Sequence, residues 1–372
     1  MRKLLFILLF LIISSGFTNC NGGKQNVIKI GVLFPLTGDE GDYGKKGKDA
    51  IEMAVDQINS GGGIDGKKVE AIFEDSRSDG PTGVTAIQKM ISVDRVSAVV
   101  GDIVSAVTIP AAAVANKNKV IMIAPTSSAP AITNAGEYIY RVWPSDLAEG
   151  MAAGNYARQQ NYKKAVILHV NNEYGTQIAN IFTVNFENQE QKVVANEAYD
   201  PKATDFRSVL TKVKALTPDV IYLAGYFEDS ASILKQAKEL GFFVKFIGTT
   251  AIEDKKFIAI AGSSSEGIVY PLATSFDAKS QDATSKKFVD AFENKYSYEP
   301  SWVESHCYDA FMLIAEAMKN NPADISGDSM RKYLDTVSYK GVTGEIKFDE
   351  NGDVTKPIVM KTVKNGEFIT LK

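Results

Sequence analysis

Short apolar runs alternate with amphipathic stretches along most of this chain, and that alternation carries the fold. The run from Val27 to Leu33 predicts a buried strand that ends in a loop of Gly, Asp and Tyr. Ile51, Ala54, Val55 and Ile58 then recur at i, i+3, i+4 and i+7, one apolar face of a helix that stops at the glycine-rich stretch 59–66. Val69, Ala71 and Phe73 alternate as a strand, and the polar turn 74–81 opens a helix predicted over 82–92. Next come apolar runs at 98–100 and 120–123, each followed by a polar loop and a helical start. The order is that of a parallel, doubly wound sheet. Around Tyr140 to Ser145 the chain changes domain and the alternation begins afresh, with helices predicted over 147–160, 176–188, 205–216 and 230–240. Strands between them fall at 165–170, 193–198, 220–223, 245–248 and 267–272. Residues 285–337 carry three helical patterns, and the chain closes with two short strand pairs turning at Asn351-Gly352 and Asn365-Gly366. So short a tail completes the first two units, which makes the linkage between them multiple and hinge-like.

Within this pattern the stretch from Val99 to Pro130 concentrates small hydroxyl residues where helices start. Ser105 follows one apolar run, Ser127 and Ser128 follow the next, and Pro130 stands where a first helical turn favours proline. If the two strands are parallel neighbours, both loops emerge at the carboxyl edge of the sheet, where open α/β folds bind ligands. Two helix N-termini and two or three hydroxyls would then converge on one small anion, most economically a carboxylate. Each serine alone is equally well explained as a cap of its own helix.

Composition narrows the function. The chain has 372 residues, enough for two domains, and 45 Asp and Glu against 41 Lys and Arg argue against nucleic acid as a partner. Arg2, Lys3 and the apolar run Leu4 to Ile13 read as an export signal over 1–19, too short to span a bilayer. Cys20 closes the segment in a way that resembles the lipobox of bacterial lipoproteins, although Phe17 and Asn19 depart from its usual pattern. A plain secretory signal that leaves Cys20 free is the alternative. Cys307, the other cysteine, sits in an apolar helical pattern and reads as packing. The glycines of 59–66 close a helix instead of following a strand, which is the wrong context for a phosphate loop. His169 lies in a strand pattern and His306 in a helix, neither with companions at metal-ligand spacing. With no nucleophile elbow, zinc signature or dinucleotide fingerprint, the chain suits holding a ligand rather than transforming it, and no cofactor is called for.

The segments KIGVLFPLTGDEGDYG, INSGGGIDGKKVE, GDIVSAVTIPA, APTSSAP, NNEYGTQ and IKFDENGD, in this order and spacing, resemble the periplasmic leucine/isoleucine/valine-type binding proteins of ABC importers over essentially all of residues 28–372. The resemblance implies the type I periplasmic-binding-protein fold, two doubly wound Rossmann-like α/β lobes that close like a flytrap on one small molecule. It implies a signal peptide over 1–19, a lipidated tether over 20–27, one lobe from 28–144 and 274–350, and the other from 145–273 and 351–372. By position, Ser105 and Ser128 would offer hydroxyls, and Thr126 a main-chain contact, to a ligand carboxylate. Tyr43 and Trp302 fall near family aromatics of the side-chain pocket, and Tyr174 and Tyr226 match second-lobe tyrosines that close over the ligand. The acidic residue that takes the ligand ammonium in leucine-type proteins falls here on Thr250, and a neutral hydroxyl cannot offset a buried ammonium as a carboxylate can. Either a neighbour such as Glu228, Asp229 or Glu253 supplies the charge, or the ligand has no ammonium. The implied partners are a small carboxylate-bearing molecule and a membrane permease, with the protein monomeric in the cell envelope and touching the membrane through its lipid alone. A sensor that reports the same metabolite to a membrane receptor would use the same cleft.

Overall fold

In the computed structural model, residues 27–273 and 276–371 are described; the export signal and Cys20 lie outside them. The first half runs β1 (Ile28–Phe34), α1 (Gly41–Ser60), β2 (Val69–Asp75), α2 (Gly80–Lys89), β3 (Ala98–Gly101), α3 (Ser105–Lys117), β4 (Ile121–Ala124) and β5 (Ile139–Arg141). The second runs α4 (Asp146–Gln159), β6 (Lys164–Val170), α5 (Glu173–Phe186), β7 (Lys192–Tyr199), α6 (Arg207–Lys214), β8 (Val220–Ala224), α7 (Phe227–Glu239), β9 (Lys245–Ile247), α8 (Lys255–Ala261) and β10 (Val269–Ala273). After these come α9 (Ala283–Tyr296), α10 (Trp302–Asn320), α11 (Gly327–Leu334), β11 (Tyr339–Gly341), β12 (Gly344–Ile346), β13 (Ile358–Lys364) and β14 (Glu367–Thr370).

The first sheet has the order β2-β1-β3-β4-β5, all parallel. The second has the order β14-β13-β10-β9-β8-β6-β7. Its parallel part, β7-β6-β8-β9-β10, repeats the first sheet strand for strand, and β13 and β14 extend it antiparallel. The predicted α/β class with two wound lobes is thus the observed one, and the repeat is one of topology. Central strands are apolar on both faces, as sheets covered by helices require: Ile30, Val32, Val99, Ile121, Ile167 and Ile221 are fully buried. Edge strand β7 instead alternates exposed and half-buried positions. Helix α10 packs on α1 and on β3 and β4, so the helical segment after β10 covers the first sheet. His169 and His306 are buried and hydrogen-bonded to main-chain oxygens, and Cys307 is buried in the core.

Three expectations need correction. Pro130–Asn134 forms only a five-residue 3-10 turn, so the loop after β4 does not open a second α-helix. Ser105 is not a cap: Val104 precedes α3, and the Ser105 hydroxyl turns away from the helix to accept from the neighbouring loop. Asn351-Gly352 forms the expected turn, with Gly352 N donating to the Asp349 carbonyl at 3.1 Å, but joins no strand pair; the antiparallel pair nearby is β11 with β12, which turns at Val342 and Thr343. Gly352 is needed for another reason: its φ is +77° and a side chain would collide with the Ile139 carbonyl 2.4 Å away. By contrast Asn365 and Gly366, both at positive φ, form the expected two-residue turn between β13 and β14.

Candidate functional site

In both sheets the order reverses between the first and third strands, and that switch point is where a doubly wound sheet opens a crevice at its carboxyl edge. The two crevices face one another. The cleft between them is lined by Tyr43, Ser105, Thr126, Ser128, Tyr174, Tyr226, Thr250 and Trp302 together with Ile103, Val104, Trp143, Glu149 and Ala251. All eight residues singled out in the sequence therefore meet in one place.

On the first side, the loops after β3 and β4 are tied to each other. The Ser105 hydroxyl accepts from Ser128 N at 3.3 Å and Ala129 N at 3.2 Å, Thr126 Oγ1 donates to the Ile103 carbonyl at 3.2 Å, and the hydroxyls of Thr108 and Ser127 lie 2.6 Å apart. Beneath them Arg141 is fully buried. It donates through Nη1 to the carbonyls of Ser128 and Ala129 at 3.0 Å, and grips Asp353 through Nε at 2.6 Å and Nη2 at 2.5 Å. A bidentate pair of this kind fixes a plane as well as a distance. The result is a stiff wall of hydroxyls and main-chain groups, anchored to the segment just before β13.

The second side is built from aromatic rings. Tyr174, in the first turn of α5, stacks on Tyr226 with ring centres 5.5 Å apart, and Asn172, which caps α5, donates to the Tyr226 hydroxyl at 3.4 Å. Tyr43 from α1 crosses the cleft, with its hydroxyl donating to the Ala251 carbonyl at 3.0 Å and its ring edge on Phe227. Trp302 donates to the Glu253 carbonyl at 3.3 Å and tilts against Trp143 and Tyr43. Farther out, ion pairs Lys46–Asp254 and Lys256–Asp42 join α1 to the start of α8.

The cleft also contains an acid that sequence reasoning missed. Glu149 is 5% exposed and accepts from Thr250 N at 2.7 Å, with Thr250 Oγ1 at 3.0 Å. Burial pushes its carboxyl well above the usual carboxylate range, helped by the nearby Asp146 and opposed by the Thr250 hydrogen bonds. Asp146, three residues earlier, is likewise raised above the usual carboxylate range by burial, against a side-chain hydrogen bond with Ser128 and the charge of Arg141. Both sit in the first turn of α4, which Ser145 caps by accepting from Leu147 N. The acids proposed from the sequence are engaged elsewhere: Glu253 holds Tyr270 and Lys361, Asp229 accepts from Tyr199 at 2.6 Å, and Glu228 is exposed. The one available signal was a pair of acids at a helix start, which the helix dipole explains without any ligand. Among the described residues no cluster of metal-ligating side chains occurs, and no helix is long and apolar enough to cross a membrane.

Residues 27–367 match the family model described as periplasmic binding protein. The leucine-, isoleucine-, valine-, threonine- and alanine-binding protein of Pseudomonas aeruginosa is 30% identical over 332 residues, 88% of this chain and 87% of its own. Among solved structures, a leucine-binding protein from Thermotoga maritima matches with a TM-score of 0.85 at 27% identity, covering 93% of this chain and 98% of that one. The branched-chain amino acid substrate-binding protein of Streptococcus pneumoniae, in complex with isoleucine, gives 0.84 at 29% identity, covering 93% and 99%.

Proposed function

The chain belongs to the periplasmic binding protein family, and from that premise we propose that it captures a small α-amino acid in the cleft and delivers it to the permease of an ABC importer. As a solute-binding protein it is not an enzyme. The observation that carries the ligand class is the chemical polarity of the cleft: hydroxyl and main-chain groups on one wall, a buried carboxyl on the other. In this reading Ser105, Thr126 and Ser128 receive the ligand carboxylate. The Ser105 oxygen already accepts two N–H groups, which leaves its own proton to donate. The ammonium lies toward Glu149 and Thr250, and Tyr43, Tyr174, Tyr226, Trp143 and Trp302 enclose the side chain. One relative is named for leucine, isoleucine, valine, threonine and alanine and another is bound to isoleucine, which supports a small, mainly aliphatic side chain.

Closure follows from the same contacts. A ligand drives two lobes together only by binding the closed arrangement better, so contacts from both walls are required. We assign 28–144 and 274–350 to one lobe and 145–273 and 351–372 to the other, with a lipid on Cys20 holding the protein at the membrane and the protein acting as a monomer in the cell envelope. The test is a thermal-shift panel of amino acids against the purified protein. A true ligand at a hundred times its Kd raises stability by about 2.7 kcal/mol; no shift from any amino acid contradicts the reading.

A further inference from the structure

The cleft is lined by one carboxyl, Glu149, with that of Asp146 buried near it in the first turn of α4, and among the described residues only the committed Arg141 is a cation acting on Asp146. We propose that Glu149, backed by Asp146, is the ammonium acceptor of this cleft and that the pair releases a proton to solvent when an amino acid enters. The inference rests on the amino-acid reading above and deepens it.

The geometry around Thr250 accommodates a proton on Glu149 before ligand arrives. Thr250 Oγ1 lies 3.0 Å from Glu149 Oε2 and 2.9 Å from the Pro271 carbonyl oxygen. A hydroxyl has one proton to give. Both contacts are full hydrogen bonds only when Thr250 donates to Pro271 and a protonated Glu149 donates to Thr250. Glu149 Oε1 meanwhile accepts from Thr250 N at 2.7 Å.

Asp146 strengthens the case independently. It is 1% exposed, its carboxyl has the Ser128 side chain as its neighbouring hydroxyl, and neither oxygen has a partner at full hydrogen-bond geometry among the described residues. The Tyr222 hydroxyl, which feels the charge of both acids, is likewise buried and unpartnered. Buried polar atoms in this state mark a place built for a group that brings its own donors. An alkylammonium brings three.

The groups that face the pair cannot supply a permanent counter-charge. Arg141 from β5 is the one cation near Asp146, and its guanidinium is committed to Asp353, Thr133 and two main-chain carbonyls. Tyr174 from α5, Tyr222 from β8 and Tyr226 from the turn after it face the acids as neutral phenols. From β10 and β13, which also pack on α4, Tyr270 and Lys361 turn to Glu253 instead. Two buried negative charges without a cation are strongly disfavoured, so the empty pair keeps a proton. An ammonium entering beside Glu149 replaces that proton as the positive charge: protonated Glu149 and ligand ammonium become an ammonium–carboxylate pair and a solvated proton. The acid has thus moved from the turn at Thr250 to the helix that packs against it, and Thr250 has become its orienting partner.

The test counts protons. Calorimetric titrations of the unsubstituted protein with L-leucine at pH 7, in buffers of different ionisation enthalpy, are expected to show up to about one proton released per leucine bound. Affinity should tighten by up to about tenfold per pH unit between about pH 6 and 8. Glu149→Gln should abolish the release and weaken leucine about 10- to 100-fold, with no matching loss for 4-methylpentanoate, which lacks the ammonium. A purely structural role for Glu149 would weaken both compounds alike and overturn the proposal. Leucine binding with no proton exchange and a flat pH profile would overturn it while the amino-acid reading stands. If neither leucine nor any other amino acid binds at any pH, that reading falls and the inference with it. The proton count is read on the unsubstituted protein, so it holds whether or not the variant folds.

Discussion

The two sheets share one strand order, yet their equivalent loops carry opposite chemistry. After the first, third and fourth strands of sheet one come Tyr43, Ser105, and Thr126 with Ser128; after the matching strands of sheet two come Tyr174, Tyr226 and Thr250. The first sheet contributes mainly hydroxyls braced by an ion pair, and the second mainly rings that close over the space. In the proposed reading the fold fixes where a ligand sits, while the loop residues decide which end of it each wall reads. The acid belongs to neither set of loops. It rides on α4, the helix that leads the chain from one sheet to the other.

Breaking the brace of the first wall should have the largest effect. Arg141→Ala leaves Asp353, only 14% exposed at its side chain, without its bidentate partner, and is expected to cost about 3 to 5 kcal/mol of stability in urea unfolding. The second side has only the more exposed, single-pronged Lys361–Glu253 pair among the described residues, and Tyr226 takes no part in it, so an equal loss from Tyr226→Phe would contradict the contrast. Both walls also bury acids. Burial raises Asp102 to about 8 and Glu40 to about 7 on the first side, and Asp229 to about 6 on the second. Their folded values lie above the unfolded ones, so the folded state binds more protons between about pH 4 and 8, and stability falls as pH rises through that window. Each carboxyl contributes about 1.4 kcal/mol for every pH unit separating its two values. The check is the melting temperature of the ligand-free protein from pH 5 to 8; a rise across that range would contradict it.

Smaller effects separate the walls further. Ser105→Ala and Ser128→Ala should each weaken ligand binding by about 1 to 3 kcal/mol, as loss of a hydrogen bond to a charged group does. Unchanged affinity in both would make the first wall structural only. Tyr43→Phe removes the bond to the Ala251 carbonyl and should cost about 0.5 to 1.5 kcal/mol of affinity through closure, read by titration. Lys256→Ala, which loses an exposed pair with Asp42, should change affinity by no more than about 1 kcal/mol, and less at high salt.

How much of this was legible in the sequence follows the same division. The loops of Ser105 and Ser128 could be read because an apolar run followed by polar loop residues marks the carboxyl edge, whereas Tyr43, Thr126, Tyr174, Tyr226, Thr250 and Trp302 were reached only through the family resemblance; all eight meet in the cleft. Glu149 could not, because an acid in the first turn of an amphipathic helix looks like a response to the helix dipole. Only tertiary contact with Thr250, 101 residues later, gives it a second meaning. The role of Ser105 was misjudged for a related reason: its hydroxyl prefers two N–H groups of the next loop over those of its own helix. Gly352 does stand in a turn, its N donating to the Asp349 carbonyl at 3.1 Å, but its close approach to the main chain of β5 leaves no pattern in the local sequence.

The central claim is that opposite walls read opposite ends of one amino acid. It is tested most directly by titrating the protein at one pH with leucine, with 4-methylpentanoate, which lacks the ammonium, and with isopentylamine, which lacks the carboxylate. The account predicts that leucine binds at least about tenfold more tightly than either truncated compound. If either of them matches leucine, the wall assigned to the missing group makes no contact with the ligand, and the account is contradicted.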